Sequence, residues 1–209
     1  MTDPHIALVL AAGGSTRLGR PKQLLTRDGE TLVHRTARLA SETGASRVLV
    51  VVGAAREAIE AELRDMTCEL IVNPDWQQGL ASSLRAAAPR VLASRLKVLI
   101  AGCDQPALEA AHLRALLEGA SAMSSRCAAT HYDDALGVPA VIPWDWFERM
   151  ELQGDRGFGT RLRELQAGSL FVLESPALAL DIDTQDDIDA AIATGWLDPA
   201  NGSTIHRKD

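Results

Sequence analysis

Short apolar runs alternate with amphipathic stretches along most of the chain. "HIALVLAA", "RVLVVVG", "CELIVNP" and "KVLIAGC" are rich in Val, Ile and Leu, the pattern of strands covered on both faces in a largely parallel sheet. Between them, "GETLVHRTARLASETG" sets Leu32, Val33, Ala37 and Leu39 at helical spacing and stops at Gly44, while "REAIEAELRD" and "EAAHLRALLEGA" repeat that spacing with charged outer faces. The succession predicts βαβ units and an α/β fold. Around "RCAATHYDDALGVPAVIP" the rhythm changes: two apolar runs flank an Asp-Asp turn, predicting a strand pair inserted late in the fold. "LFVLESP" predicts a further strand. "DTQDDIDAAIATGW" predicts a closing helix with Thr184 as N-cap and Asp187 at the reciprocal capping-box position. The polar "DPANGSTIHRKD" is expected to fray, so 1–197 reads as one domain and 198–209 as a tail.

Composition narrows the function classes. A chain of 209 residues, 46% hydrophobic and 23% charged, suits a single domain with a full core. No apolar stretch approaches the roughly 20 residues of a membrane span, and "MTDPHIALVL" lacks the basic segment and cleavage site of a secretory leader, so a cytoplasmic protein with no membrane partner is expected. Cys68, Cys103 and Cys127 are widely separated and form no CxxC pair, which predicts core thiols rather than disulfides or a zinc site. A net charge of −7 argues against a nonspecific nucleic-acid binder. The chain has three lysines, Lys22, Lys97 and Lys208, and the first falls in its most unusual segment.

That segment is "LAAGGSTRLGRPKQLL", residues 10–25, directly behind the first predicted strand. In open α/β sheets, ligands lie beyond the carboxyl ends of the strands, and the first strand-to-helix turn is a common seat for phosphate. Glycines let backbone N–H groups approach phosphate oxygens with no Cβ in the way. The spacing fits neither of the two usual phosphate loops. Arg20-Pro21-Lys22 follows Gly19 where a P-loop needs Lys and Ser/Thr, and Gly13-Gly14 followed by Gly19 is not G-x-G-x-x-G, which also disfavours a nicotinamide-dependent redox enzyme. Arg17 and Lys22 supply two cations, enough to meet the charge of a triphosphate. A solvent-exposed turn with incidental basic residues is the alternative.

Carboxylates at two distant points favour the first reading. "VLIAGCDQP" delivers Asp104 at the end of the fourth predicted strand, where it can hold Mg²⁺, an ion that binds through one or two carboxylates while keeping waters and phosphate oxygens. In "LALDIDTQDD", Asp181 and Asp183 alternate and so point the same way, just before a helix N-terminus. In "NPDWQQGLASSL", Asn73 offers donor and acceptor, Gly79 permits close approach, and Ser82 and Ser83 sit in a first helical turn, so a base edge or ribose fits there. A plain turn with capping serines fits as well.

These motifs resemble the MobA-like nucleotidyltransferases, most of all the molybdenum cofactor cytidylyltransferases of the MocA type. "LAAGGSTRLGRPKQLL", "NPDWQQGLASSL", "GCDQP", "GVPAVIP", "GDRGF" and "DIDTQDD" come in that family's order. The resemblance implies a Rossmann-like αβα sandwich with a mostly parallel mixed sheet, as in nucleotide-diphospho-sugar transferases, and Mg²⁺-dependent transfer of a nucleotidyl group with release of pyrophosphate. It implies that Leu10, Ala11, Ala12 and Gly13 lie along base and ribose, that Gly14, Ser15, Arg17 and Lys22 hold the triphosphate, and that Asp104 and Asp183 hold the metal with Asp181 as an auxiliary ligand. Asp155 and Arg156 would line the acceptor side. The implied substrates are CTP and molybdopterin or molybdenum cofactor, and the implied recipient is a molybdenum hydroxylase or its maturation chaperone. Two motifs depart from the family: Gly137-Val138-Pro139 stands where Gly-His-Pro is frequent, and Gly157-Phe158-Gly159 where Ala-Arg commonly follows the glycine. Both lie on the acceptor side. The alternatives are a guanylyl- or sugar-phosphate-type transferase of the same fold, or an accessory protein that binds nucleotide or cofactor without turnover.

Overall fold

The apolar runs become strands of a seven-stranded sheet in the computed structural model, which describes residues 3–132, 135–148 and 150–199. In chain order the elements are β1 (His5–Ala11), a small hairpin of β2 (Thr26–Arg27) and β3 (Glu30–Thr31), α1 (Leu32–Ser41), β4 (Arg47–Val52), α2 (Arg56–Glu62) and β5 (Glu69–Val72). There follow α3 (Leu80–Ser94), β6 (Lys97–Gly102), α4 (Ala110–Ala122), β7 (Cys127–Tyr132), β8 (Ala135–Ile142), α5 (Gly159–Arg163), β9 (Leu170–Glu174) and α6 (Gln185–Ala193). The sheet order is β5-β4-β1-β6-β8-β7-β9. β8 runs antiparallel to both β6 and β7, and the other pairings are parallel. The predicted strand pair is therefore β7 and β8, and its Asp133-Asp134 turn lies outside the described residues.

The two-residue period of the strands sorts side chains between two helical layers. Ile6 and Leu8 of β1 face Leu84 and Val91 of α3, whereas Ala7 and Val9 face Val33 and Ala37 of α1 and Ile59 of α2. On the α1 face, α4 continues the layer by packing Leu113, Leu116 and Leu117 on Leu99 and Val141. Both faces of β1 are thus sealed, with Ile6, Ala7, Leu8 and Val9 all at 0% exposure, which explains why this segment reads as an unbroken apolar run. The result is the mixed, mostly parallel αβα sandwich that the sequence leads one to expect. Cys103 and Cys127 are buried free thiols, and Cys68 is a half-buried one.

Polar contacts then set the connections at the carboxyl edge. Glu109 Oε1 meets Arg27 Nη2 at 2.9 Å and Arg35 Nη2 at 2.8 Å. The same guanidinium groups donate to the carbonyls of Pro106 (2.7 Å) and Leu108 (3.2 Å), so hairpin and α1 together fix the path of the chain after β6. Asp198 accepts from the backbone of Asp28 (3.0 Å) and Gly29 (2.8 Å), and its own N–H donates to Thr26 O. At α6 the expected capping box is present: Thr184 N donates to Asp187 Oδ2 at 2.7 Å and Asp187 N returns to Thr184 Oγ1 at 3.3 Å.

Arg35 is a buried residue, so removing its carboxylate leaves a desolvated charge behind. Glu109→Ala is expected to cost about 2–3 kcal/mol of unfolding free energy, read as a lower urea midpoint at unchanged slope; a loss below a few tenths would show that the pairing is only a surface contact.

Candidate active site

The glycine loop, residues 12–21, leaves β1 at the carboxyl edge of the sheet and ends in a 3₁₀ turn, Lys22–Leu24. Three contacts set its path. Gln23, buried at 2% exposure, donates Nε2 to the carbonyls of Ala11 (3.1 Å) and Gly13 (2.8 Å). Ser15, at φ 48°, accepts the N–H of Lys22 on its hydroxyl at 3.0 Å, while its carbonyl accepts from Leu18 and Gly19. Trp76 lies against the loop: a Cβ on Gly14 would come within 2.5 Å of its ring, so the glycine is required by close approach. Gln23 escaped the sequence reading, although an amide wedged before two leucines in "KQLL" was a signal for a buried polar anchor.

Beneath the loop the charged side chains converge. Lys22 Nζ sits 2.8 Å from Asp104 Oδ2 and 2.8 Å from Asp183 Oδ1, and Arg17 Nη2 is 2.7 Å from Asp183 Oδ2. Burial works against the Lys22 cation, but the two carboxylates outweigh it and hold its pKa above that of a free lysine. The hydrogen bond from Lys22, reinforced by Arg17 and opposed by partial burial, keeps the Asp183 carboxyl below the usual range. Asp181 behaves oppositely: burial first, then the charge of Asp104, pushes its carboxyl up to about 7, and its Oδ1 is buried without a partner. Ile182 N donates to Asp104 O at 2.9 Å, which brings the Asp181–Asp183 segment alongside the loop after β6.

Among the described residues no three His, Cys, Asp or Glu side chains form a ready-made metal cage. The donor set still fits a hard cation that needs only one or two carboxylates and completes its shell with water and phosphate. Asp104 and Asp183 share Lys22 as a partner, and the orphaned Asp181 oxygen beside them is an acceptor that no protein donor meets.

A second group of expected site residues forms a separate knot at the start of α3. Asn73 is 2% exposed; its Nδ2 donates to Ser82 Oγ (2.8 Å) and Ser83 Oγ (3.1 Å), and its Oδ1 accepts from Asp75 N (3.0 Å). Ser82 in turn donates to Gly79 O. The hydrogen-bonding groups of Asn73 thus face inward and shape the segment. Gly79, at φ +84°, lies where a Cβ would meet Asp155 Oδ1 and Gly154 backbone, and Gly154 O accepts from Ala81 N at 2.9 Å. Asp155 accordingly sits at the first turn of α3, whereas Arg156 lines a separate open depression with Trp146, Met150 and Arg161. Ala11 and Ala12 are buried, Gly13 is exposed, and Leu10 lines an apolar cavity on the α3 face.

A glycine-rich turn with a lysine held between two acidic residues, at the carboxyl edge of a mixed α/β sheet, has the charge and backbone access that phosphate chemistry asks for. The sequence profile of the MobA-like NTP transferase domain matches residues 7–169, and the chain belongs to that family. It is 36% identical over 111 residues to nicotine blue oxidoreductase of Paenarthrobacter nicotinovorans, covering 53% of this chain and 54% of that one. It is also 36% identical over 103 residues to a probable molybdenum cofactor guanylyltransferase of Opitutus terrae, covering 49% of each. The matched stretch spans about half the length of both relatives. Among solved structures, Rv0371c of Mycobacterium tuberculosis H37Rv superposes with a TM-score of 0.78 at 28% identity, covering 92% of this chain and 99% of the other. A structure of that protein in complex with manganese superposes with a TM-score of 0.73.

Because the folded pKa of Asp183 lies below its unfolded value near 3.8, the pairing adds stability above that value, and the increment is lost as pH falls through the folded one. Lys22→Met removes the main cause. The Asp183 carboxyl, followed by carboxyl-carbon NMR without divalent ions, should then titrate at higher pH, and the variant should lack the associated stabilisation at neutral pH. An unmoved midpoint would assign the depression to Arg17 instead.

Proposed function

We infer that this chain transfers CMP from CTP to the phosphate of an acceptor of the molybdopterin class and releases pyrophosphate, with residues 1–197 as the transferase domain. The observation that carries the reading is the Lys22 ammonium held by Asp104 and Asp183 under a glycine loop, in a chain of the MobA-like family. Support for CTP is the loop itself, which reads Gly19-Arg20-Pro21-Lys22 where the guanylyl type usually has Gly-Gly-Asp-Lys.

An acceptor phosphate monoester is already anionic at neutral pH, its second pKa lying near ~6, so the reaction asks for no strong general base. Its oxygen attacks the α-phosphorus in line with the departing pyrophosphate. The work of the protein is then positioning and charge neutralisation. The glycine loop at Gly14 and Ser15 lines up the triphosphate, with Leu10 to Gly13 along base and ribose. Lys22 and Arg17 exchange carboxylate partners for phosphate oxygens, meeting the charge that grows on pyrophosphate. Asp104 and Asp183 would hold Mg²⁺, with Asp181 beside them, and the ion supplies further neutralisation of phosphate oxygens when bound. In the cell, a product of this kind would pass to a molybdenum hydroxylase or its maturation chaperone.

Calorimetry in the presence of Mg²⁺ should give tighter binding of CTP than of GTP, and of either than of NADPH. Tighter GTP would move the assignment to the guanylyl type, and preference for NADPH would move it to the chemistry named in the oxidoreductase relative. Asp104→Asn keeps size and one acceptor oxygen but removes charge; it should lower turnover about 10²-fold or more, the scale of losing one preorganised electrostatic group, with the fold intact by circular dichroism. Full activity of the variant at limiting Mg²⁺ would exclude Asp104 from the metal site.

A further inference from the structure

Trp76 stands where two loops leave the carboxyl edge of the sheet. The loop after β1 carries Gly14, and the loop after β4 begins with Gly53. A Cβ on Gly14 would come within 2.5 Å of the Trp76 ring, and the three atoms nearest to it all belong to that ring. A Cβ on Gly53 would stand 2.6 Å from Ala12 O and 2.8 Å from Trp76 Cβ. The two glycines thus cut a slot for one side chain: Gly53 admits its root and Gly14 the outer edge of the indole. The Gly14 backbone lies outside the left-handed region, so among the described residues it is the contact with Trp76 that forbids a side chain there.

The segment that presents Trp76 is held on both sides by Asn73. Its Oδ1 accepts from Asp75 N at 3.0 Å, just before the tryptophan, and its Nδ2 donates to Ser82 Oγ and Ser83 Oγ at 2.8 and 3.1 Å, just after. Asn73 N donates to Val52 O at 2.8 Å, next to Gly53. Between these points the 3₁₀ turn Trp76–Gln78 closes with Gly79 N on Trp76 O at 3.1 Å. On the other side of the contact, Ser15 follows Gly14 and collects the N–H groups of Lys22, Leu18 and Gly19 on its hydroxyl and carbonyl at 3.0–3.1 Å. The indole therefore bears on the residue from which the turn leading to Lys22 is hung. A loop without such a wall has to be ordered by its ligand, and that ordering is subtracted from affinity.

We propose that Trp76 is a positioning residue for the glycine loop: seated between Gly14 and Gly53, it holds the Gly14–Ser15 backbone in the conformation that receives phosphate. Asn73 serves the site by fixing Trp76, and its own hydrogen-bonding groups stay turned inward. The inference rests on the nucleotidyltransferase reading and adds to it the device that keeps the phosphate seat formed before substrate arrives.

The test is a double-mutant cycle on the full chain. It is read by calorimetry of inorganic tripolyphosphate and of CTP, both with Mg²⁺, and by hydrogen exchange of the Leu18, Gly19 and Lys22 amides. Trp76→Ala is expected to bind tripolyphosphate about tenfold more weakly and to exchange these amides about tenfold faster, while the amides of β1 and β4 keep their rates. Trp76→Phe retains an aromatic wall and should recover most of both losses. Gly14→Ala should weaken binding in the otherwise unchanged chain, yet add no more than about twofold to Trp76→Ala, because the ring it would strike is gone. Losses that multiply independently, loop amides unmoved by Trp76→Ala, or a Phe variant as impaired as the Ala variant would overturn the role of Trp76. Should Trp76→Ala fail to fold, the cycle with Trp76→Phe decides: the shorter ring clears a Cβ at position 14, so the Gly14→Ala penalty shrinks severalfold, and an unchanged penalty refutes the proposal. A wild type that binds tripolyphosphate but not CTP would refute the nucleotidyl-transfer reading and leave the role of Trp76 standing. One that binds neither would overturn both.

Discussion

The arrangement depends above all on one shared cation. Lys22 reaches Asp104 from the loop after β6 and Asp183 from the segment before α6 at equal distances of 2.8 Å. Three stretches far apart in the sequence are thereby drawn to one point, and each is backed by an independent anchor: Gln23 behind the glycine loop, Arg27 and Arg35 behind the β6 loop, and the Thr184–Asp187 box behind Asp183. A half-buried ion triad of this kind adds little net stability, because desolvation offsets most of the attraction. Its merit is that the same charges can change partners. Here they neutralise one another; in the proposed reaction a triphosphate would offer Lys22 and Arg17 new oxygens without requiring new charges to be buried.

Polar and apolar surfaces are kept apart along the carboxyl edge of the sheet. Charge and backbone N–H groups gather on the loop over β1, while the neighbouring cavity on the α3 side is almost wholly apolar. The antiparallel strand β8 makes this division possible, because Leu136, Gly137, Val138, Ala140 and Ile142 border the cavity without contributing to the charged cluster.

Much of this was legible in the sequence because it is local. The buried strands, α1, α4 and the capping box of α6 follow from periodicity and from Thr184 and Asp187 at their set spacing. The alternation of Asp181 and Asp183 correctly put two carboxylates at one place, but it could not show that one would be held ionised by Lys22 and the other desolvated toward neutrality, since that depends on packing against Gln105 and Asp104. Asn73, Ser82 and Ser83 show the same limit. Their residue types suit a base edge, yet hydrogen bonds to Ser82, Ser83 and the backbone of Asp75 turn Asn73 inward, and a sequence pattern carries no information on which way a buried amide is satisfied. Asp155, likewise polar and glycine-flanked, is found at the start of α3.

The grip of Asp198 on the β2–β3 hairpin has a dynamic consequence. Asp28 and Gly29 give their N–H groups to its carboxylate, and its own N–H goes to Thr26, so this hairpin is closed by a segment about 170 residues away in sequence. Arg27, within the same hairpin, holds Pro106 O and Glu109. Opening this corner requires the segment after α6, the hairpin and the loop beyond β6 to release together. These shared hydrogen bonds tie the backbone at residue 198 to the loop that carries Asp104, so the three segments are expected to open as one cooperative unit.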